Sequence, residues 1–109
     1  MRIFGDGENT RDFVYVADVA AALMLFLEKG TGFNVYNVGR GQAIDLNELA
    51  ATIQKVAGST AGVEHAAPRE GDIRYSFSNV SAIKTDLGFV AQTSLEEGLS
   101  KTHAWFKSQ

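Results

Sequence analysis

The sequence predicts an α/β fold: a small mixed sheet of three to four strands with about four helices. Three observations lead there. Short β-prone segments alternate with segments whose apolar residues recur every three or four positions. Asp45-Leu-Asn-Glu48 and Ser94-Leu-Glu-Glu97 both have the spacing of a capping box, in which side chains meet the free N–H groups at a helix start. Glycines at Gly30, Gly58 and Gly88 fall where the helical patterns stop.

In chain order, Arg2-Ile-Phe4 reads as a strand entering a polar glycine loop, and Asp12 to Val16 alternates polar and β-prone residues as a second strand. Asp18 then caps a helix over Val19–Lys29, which Gly30 and Gly32 stop. Phe33 to Val38 reads as a strand closed by Gly39-Arg-Gly41. Asp45 caps a helix in which Leu46, Leu49, Ala50, Ile53, Val56 and Ala57 form one apolar stripe, ended by Gly58. Val63 to Ala66 is a further strand, and Asn79 to Leu87 a short helix closed by Gly88. Ser94 opens the last helix, whose Leu95, Leu99, Trp105 and Phe106 are expected to face inward despite Gly98, which costs about 1 kcal/mol relative to Ala.

At 109 residues the chain has room for a single domain. Such a domain should bury roughly 60–70% of its unfolded surface. The balance of 45% hydrophobic to 21% charged residues is that of a soluble globular protein. There is no cysteine, which removes disulfides and thiolate chemistry and fits a reducing, cytoplasmic setting. His65 and His103 stand far apart with no ligand spacing, so no metal site is expected. A net charge of −3 with scattered cations argues against nucleic acid as a partner, and the longest apolar run, Val19–Leu27, is too short to cross a membrane. Gly39-Arg-Gly41 lacks the later glycine of a dinucleotide loop, since Ile44 stands there.

Val19–Leu27 is apolar all round, whereas a helix on a small domain should keep a polar face. Either its alanines lie at the surface, or a further domain or a second subunit covers it. The second alternative predicts a homo-oligomer formed through this helix.

Two loops carry the chemistry. Phe4–Asp18 contains Arg11, and Ala67–Asp72 contains Arg69 and Asp72. Guanidinium forks suit phosphate oxygens, and a carboxylate is an acceptor suited to hydroxyls. Together the three side chains could clamp a diphosphate next to a hydroxyl-bearing group. The alternative is ordinary surface pairing, Arg11 with Asp12 or Asp6 and Arg69 with Glu70 or Asp72, which contributes little.

The segment Phe4-Gly-Asp-Gly-(x)3-Arg-Asp-Phe-Val-Tyr-Val-x-Asp-Val19 resembles a signature of the extended short-chain dehydrogenase/reductases, the NAD-dependent sugar-nucleotide epimerases and dehydratases. The likeness continues in order through Tyr36-Asn-Val-Gly-Arg-Gly41, Pro68-Arg-Glu-Gly-Asp72, Asp86-Leu-Gly-Phe89 and Ser94-Leu-Glu-Glu-Gly-Leu99, and so covers essentially the whole chain. It is similar to the C-terminal, substrate-side part of such an enzyme. The resemblance implies that Arg11 and Arg69 lie against the diphosphate of a nucleotide sugar such as a UDP-sugar, and that Asp72 accepts hydrogen bonds from the ribose hydroxyls. It also implies NAD as the cofactor of the full-length enzymes. The family's glycine-rich cofactor loop is absent, and Tyr15, Tyr36 and Tyr75 are followed four residues on by Val19, Arg40 and Asn79 rather than the family's lysine. No catalytic residue and no NAD site are therefore expected in this chain. Two readings follow: a substrate-side fragment without turnover of its own, or a free-standing small homo-oligomeric protein that kept the fold for binding or assembly.

Overall fold

Four helices and four short strands make up the computed structural model, which describes residues 1–109. Strand β1 (Arg2–Phe4) pairs in parallel with β4 (Glu64–Ala66), Ile3 opposite His65. Strand β2 (Thr10–Arg11) pairs antiparallel with β3 (Ile44–Asp45), Arg11 opposite Ile44. The fold is mixed α/β as expected, but its strands form two separate pairs instead of one sheet.

The cause lies in two segments that the sequence reads as strands. Asp12–Tyr15 is not a strand, because its first residue turns its carboxylate onto other loops: Asp12 Oδ1 accepts the Arg40 N–H at 2.9 Å, and Oδ2 those of Gly41 at 2.8 Å and Ser78 at 3.2 Å. Phe33–Val38 runs without secondary structure, and no loop backbone hydrogen bond reaches it. Its side chains dock it instead. Tyr36 packs edge-on against Phe26 at 6.1 Å and donates its hydroxyl to Asp86 Oδ2 at 3.0 Å. Burial and the Asp86 carboxylate both push the Tyr36 hydroxyl up from its ordinary value.

Helix α1 (Val16–Lys29) starts two residues before Asp18, with Tyr15 as an N-cap that makes no side-chain cap bond. Asp18 is not the cap; it lies buried in the first turn, where its Oδ2 accepts the Thr93 N–H at 3.0 Å. Helix α2 (Leu46–Ala57) is capped as expected by Asp45, which accepts the Glu48 N–H at 2.7 Å. Helix α3 (Ser81–Leu87) is shorter than its pattern, and α4 (Leu95–Lys107) is capped by Ser94, which accepts the Glu97 N–H at 3.2 Å. Neither box closes reciprocally. The Glu97 carboxylate pairs instead with Lys101 at 2.8 Å, the i,i+4 neighbour on its own helix, and that contact raises the Lys101 ammonium above its usual range.

Packing divides the molecule in two. Ala22 of α1 meets Ile83 and Leu87 of α3 and Phe89 beyond it, while α2 packs on α4. The result is a slab with extents of 48 × 36 × 19 Å, thin enough for about two layers of helix. Its radius of gyration is 16.3 Å, against about 13 Å for a compact domain of this length. Only 12 of 109 residues are buried, and no large side chain is fully enclosed. Trp105 and Phe106, expected in the core, are 58% and 66% exposed and pack on each other at the end of α4. With so little apolar burial, polar tethers between loops carry more of the stability. Asp12→Ala strands three backbone N–H groups and is expected to lower stability by about 2–4 kcal/mol, read as a fall in thermal midpoint, with Asp12→Asn intermediate.

Candidate functional site

The site grows from the turn after β1. Gly7 turns the chain back at φ +80° and offers its carbonyl to the N–H groups of Leu46 and Asn47, at 2.9 and 3.2 Å, at the start of α2. The positive φ favours glycine at position 7, and a side chain there would also have to displace the amide end of Asn47. The Pro68–Tyr75 segment then closes over this turn. The Thr10 N–H donates to the Arg74 carbonyl at 2.9 Å, and the Ser76 N–H to the Thr10 carbonyl at 3.2 Å.

Arg74 locks the two together. Its guanidinium donates to Asp6 and Glu8, each at 2.6 Å, and to Asn9 Oδ1 at 3.2 Å. The hydrogen bond from Arg74 holds the Asp6 carboxyl below its ordinary value, and Asp6 in return raises Arg74. Asn9, only 7% exposed, passes the link on: its amide donates to Asp72 Oδ2 at 2.7 Å. The other carboxylate oxygen of Asp72 accepts from Arg11 at 2.7 Å. Arg11 is itself pinned, since its second terminal nitrogen donates to the carbonyls of Thr10 at 2.7 Å and Ile73 at 2.6 Å.

The structure therefore brings Arg11 and Asp72 into one half-buried ion pair, each side chain 32% exposed. Neither Asp12 nor Asp6 pairs with Arg11, and neither Glu70 nor Asp72 with Arg69. Arg69 instead lies over the Phe4 ring, its central carbon 3.7 Å from the ring centre. That stacking contributes about 0.5–1 kcal/mol at an exposed position and leaves the edge donors of the guanidinium open.

Arg69 and Asp72 share two cavities. One, of about 640 Å³, has an apolar floor of Ile3, Phe4, Leu46, Leu49, Ala50 and Ile53. The other, of about 200 Å³, is polar and adds Asp6, Asn9 and Arg74. Arg11 lines neither and touches them only through Asp72. A free guanidinium and a fixed carboxylate at the rim of an apolar hollow suit an anion that also bears hydroxyls and a flat or apolar part.

The Gly39–Gly41 turn is held by contacts within the chain. The Gly39–Gly41 turn has its Arg40 and Gly41 N–H groups committed to Asp12, so the donors that would cradle phosphates are already used. A side chain at Gly39 would sit 2.6 Å from Asp12 Oδ2, which accounts for glycine there without a ligand. Tyr15 lies beside Gly98, with the Lys101 ammonium 5.4 Å above its ring centre. No group of three metal-ligating side chains forms.

Sequence reasoning missed Asn9, Asp6 and Arg74. Their partners lie more than sixty positions away, so spacing gives no cue to the pairing. One local signal was legible: Asp6-Gly-Glu8 has the pattern of an Asx turn, and the Glu8 N–H does donate to Asp6 Oδ1 at 3.0 Å.

Comparison with known proteins places this architecture. Residues 1–39 match the model of the NAD dependent epimerase/dehydratase family. A UDP-glucuronate 4-epimerase of Thermodesulfobacterium geofontis is 32% identical over 98% of this chain, and a UDP-glucose 4-epimerase of Mycolicibacterium smegmatis 35% identical over 99%. The crystal structure of a Thermotoga maritima UDP-glucose 4-epimerase with UDP-glucose superposes with a TM-score of 0.91 at 39% identity, covering 99% of this chain and 35% of that one. The chain spans about a third of the length of the curated relatives it matches, 33% and 34% in these two cases. On sequence and fold together, the chain is similar over almost its whole length to about a third of the length of NAD-dependent epimerases and dehydratases, a likeness to the C-terminal portion of extended short-chain dehydrogenase/reductases.

Proposed function

We propose that these 109 residues form one domain, the nucleotide-sugar-binding side of an NAD-dependent epimerase or dehydratase. It binds a UDP-sugar or related nucleotide sugar weakly and performs no redox chemistry alone. The observation that carries this reading is the convergence of three side chains: Arg69, free of any carboxylate, lines the same cavities as Asp72, which Arg11 holds at 2.7 Å. In this arrangement Arg69 takes the diphosphate first, Arg11 adds positive charge from behind, and Asp72 accepts from ribose hydroxyls. Each charge-assisted bond contributes about 1.5–3 kcal/mol.

Hydride chemistry lies outside this chain. NAD carries the redox step in such enzymes while the protein orients the reactants, and the Arg40 and Gly41 N–H groups, both committed to Asp12, are not free to cradle its phosphates at that turn. No helix is long and apolar enough to cross a membrane, and charge is not gathered into a basic stripe. Those features favour a cytoplasmic protein that engages neither membrane nor nucleic acid.

A second reading has a specific observation behind it. Val16, Leu23, Met24 and Leu27 on one side of α1 are 57–76% exposed, and Phe33 and Val35 on the adjoining unpaired segment are 92% and 80% exposed. The accessible surface of the chain is 7371 Å², whereas a compact monomer of its mass exposes about 5,900 Å². That surplus is of the order one partner contributes to an obligate interface. In this reading a second copy covers Val19–Leu27, and the chain is a free-standing homo-oligomeric binding or assembly protein.

Calorimetry with UDP or UDP-glucose is expected to show binding in the high-micromolar to millimolar range, of the order of −4 to −6 kcal/mol. Arg69→Ala should weaken it about tenfold or more and Arg11→Ala by a similar or smaller factor; unchanged affinity in both would remove the assigned site. Light scattering at micromolar concentration is expected to return a dimer or larger. Leu23→Glu with Leu27→Glu should return a monomer, and a wild-type monomer would contradict the oligomeric reading.

A further inference from the structure

Phe33–Val38 has the side-chain pattern of a strand and none of a strand's partners. Asn34, Tyr36 and Val38 line a hollow of about 190 Å³ together with Ala22 and Phe26 of α1 and Leu87 of α3, whereas Phe33 and Val35 are 92% and 80% exposed. A two-residue period of this kind belongs to an extended chain lying on a layer of helices. We propose that this segment is the interface strand of a symmetric dimer, paired antiparallel with the same segment of a second copy.

The backbone makes the case. No hydrogen bond within the chain reaches an N–H or carbonyl of these residues, yet Tyr36 and Val38 pack on the buried cluster and hold the segment in place. Much of the cost of ordering it is therefore met before a partner arrives. A free strand edge is ordinarily blunted by a charge, a proline or a bulge. Here Gly30 through Gly39 carries neither charge nor proline. The lack of charge also selects the partner. Two identical strands set side by side bring no like charges opposite each other, and nothing in the segment offers a charged stranger an ion pair to fix its register.

Symmetry closes the assembly. An antiparallel ladder is self-complementary about a twofold axis perpendicular to it, so one edge from each copy completes the pair and both α1 helices lie on the same face of the ladder. The accessible surface of 7371 Å², against about 5,900 Å² for a compact monomer, leaves the area that such a pair needs. This proposal rests on the oligomeric reading above and names the element that makes the contact, whereas that reading asks only that a second copy cover α1.

The test uses the whole chain. Light scattering follows assembly across a dilution series, and amide hydrogen exchange follows Phe33–Val38 at each concentration. Along a strand, successive N–H groups face opposite edges. A ladder on one edge should therefore slow exchange about tenfold or more at alternate residues, and only where the dimer is populated. Asn34→Pro and Val35→Pro check which edge is used. Both positions are exposed, so neither change removes core packing. The variant that lacks a protected N–H should weaken the dimer about tenfold or more, and the other should leave its affinity within about twofold of wild type. Circular dichroism checks folding, and if either variant unfolds, the alternation in the wild-type chain decides. A wild-type monomer would remove the oligomeric reading and this proposal together. A dimer in which the Phe33–Val38 amides all exchange as fast as in the monomer, or all slow together, would overturn the single-edge pairing and leave the oligomeric reading standing.

Discussion

The Asp12 carboxylate receives the backbone N–H groups of Arg40, Gly41 and Ser78, and so joins three segments that no strand ladder connects. Other carboxylates repeat the device. Asp18 receives Thr93 N–H, and Asp72 receives Asn9 and Arg11. These bonds matter because the apolar core is small: Ala22, Ile83, Leu87 and Phe89 form its one buried cluster. Where burial supplies little, satisfied charge-assisted hydrogen bonds fix the geometry, and removing an acceptor leaves several donors unmade at once. The same economy places the candidate site. Asn9, Arg11, Asp72 and Arg74 form one chain of contacts across two loops, so the loops that shape the pocket are also those that hold the fold.

The slab shape has consequences of its own. A helix with Leu23, Met24 and Leu27 exposed, next to an unpaired extended segment bearing Phe33 and Val35, presents both apolar surface and free backbone groups. Single exposed apolar residues are ordinary, but a contiguous set beside an open backbone edge is what an interface leaves when its partner is removed. This face lies on α1 and the segment beyond it, whereas Arg69 and Asp72 belong to the loop after β4. The exposed apolar face and the candidate site thus lie on different elements.

Local patterns were legible in the sequence, and distant ones were not. The stripe from Leu46 to Ala57 and the caps Asp45 and Ser94 needed only neighbouring residues, and they were read correctly. Asp12–Val16 and Phe33–Val38 alternate as strands do, yet strandhood requires a partner; Asp12 is diverted to loop N–H groups, and Phe33–Val38 has no ladder within the chain. Trp105 and Phe106 carry core-like side chains at a helix end where no layer covers them. Arg11, Arg69 and Asp72 stood out by residue type and by their motifs, but that Arg11 pairs with Asp72 rather than Asp12, and that Asn9 holds Asp72, depends on contacts across sixty positions.

The central claim is that two loops distant in sequence make one nucleotide-diphosphate site. Amide nitrogen–proton correlation spectra recorded during a UDP titration test it residue by residue. The account predicts that signals from Phe4–Arg11 and from Pro68–Arg74 move together with a single apparent affinity, while those of Leu23–Leu27 stay in place. Shifts confined to one loop, or centred on α1, would contradict it.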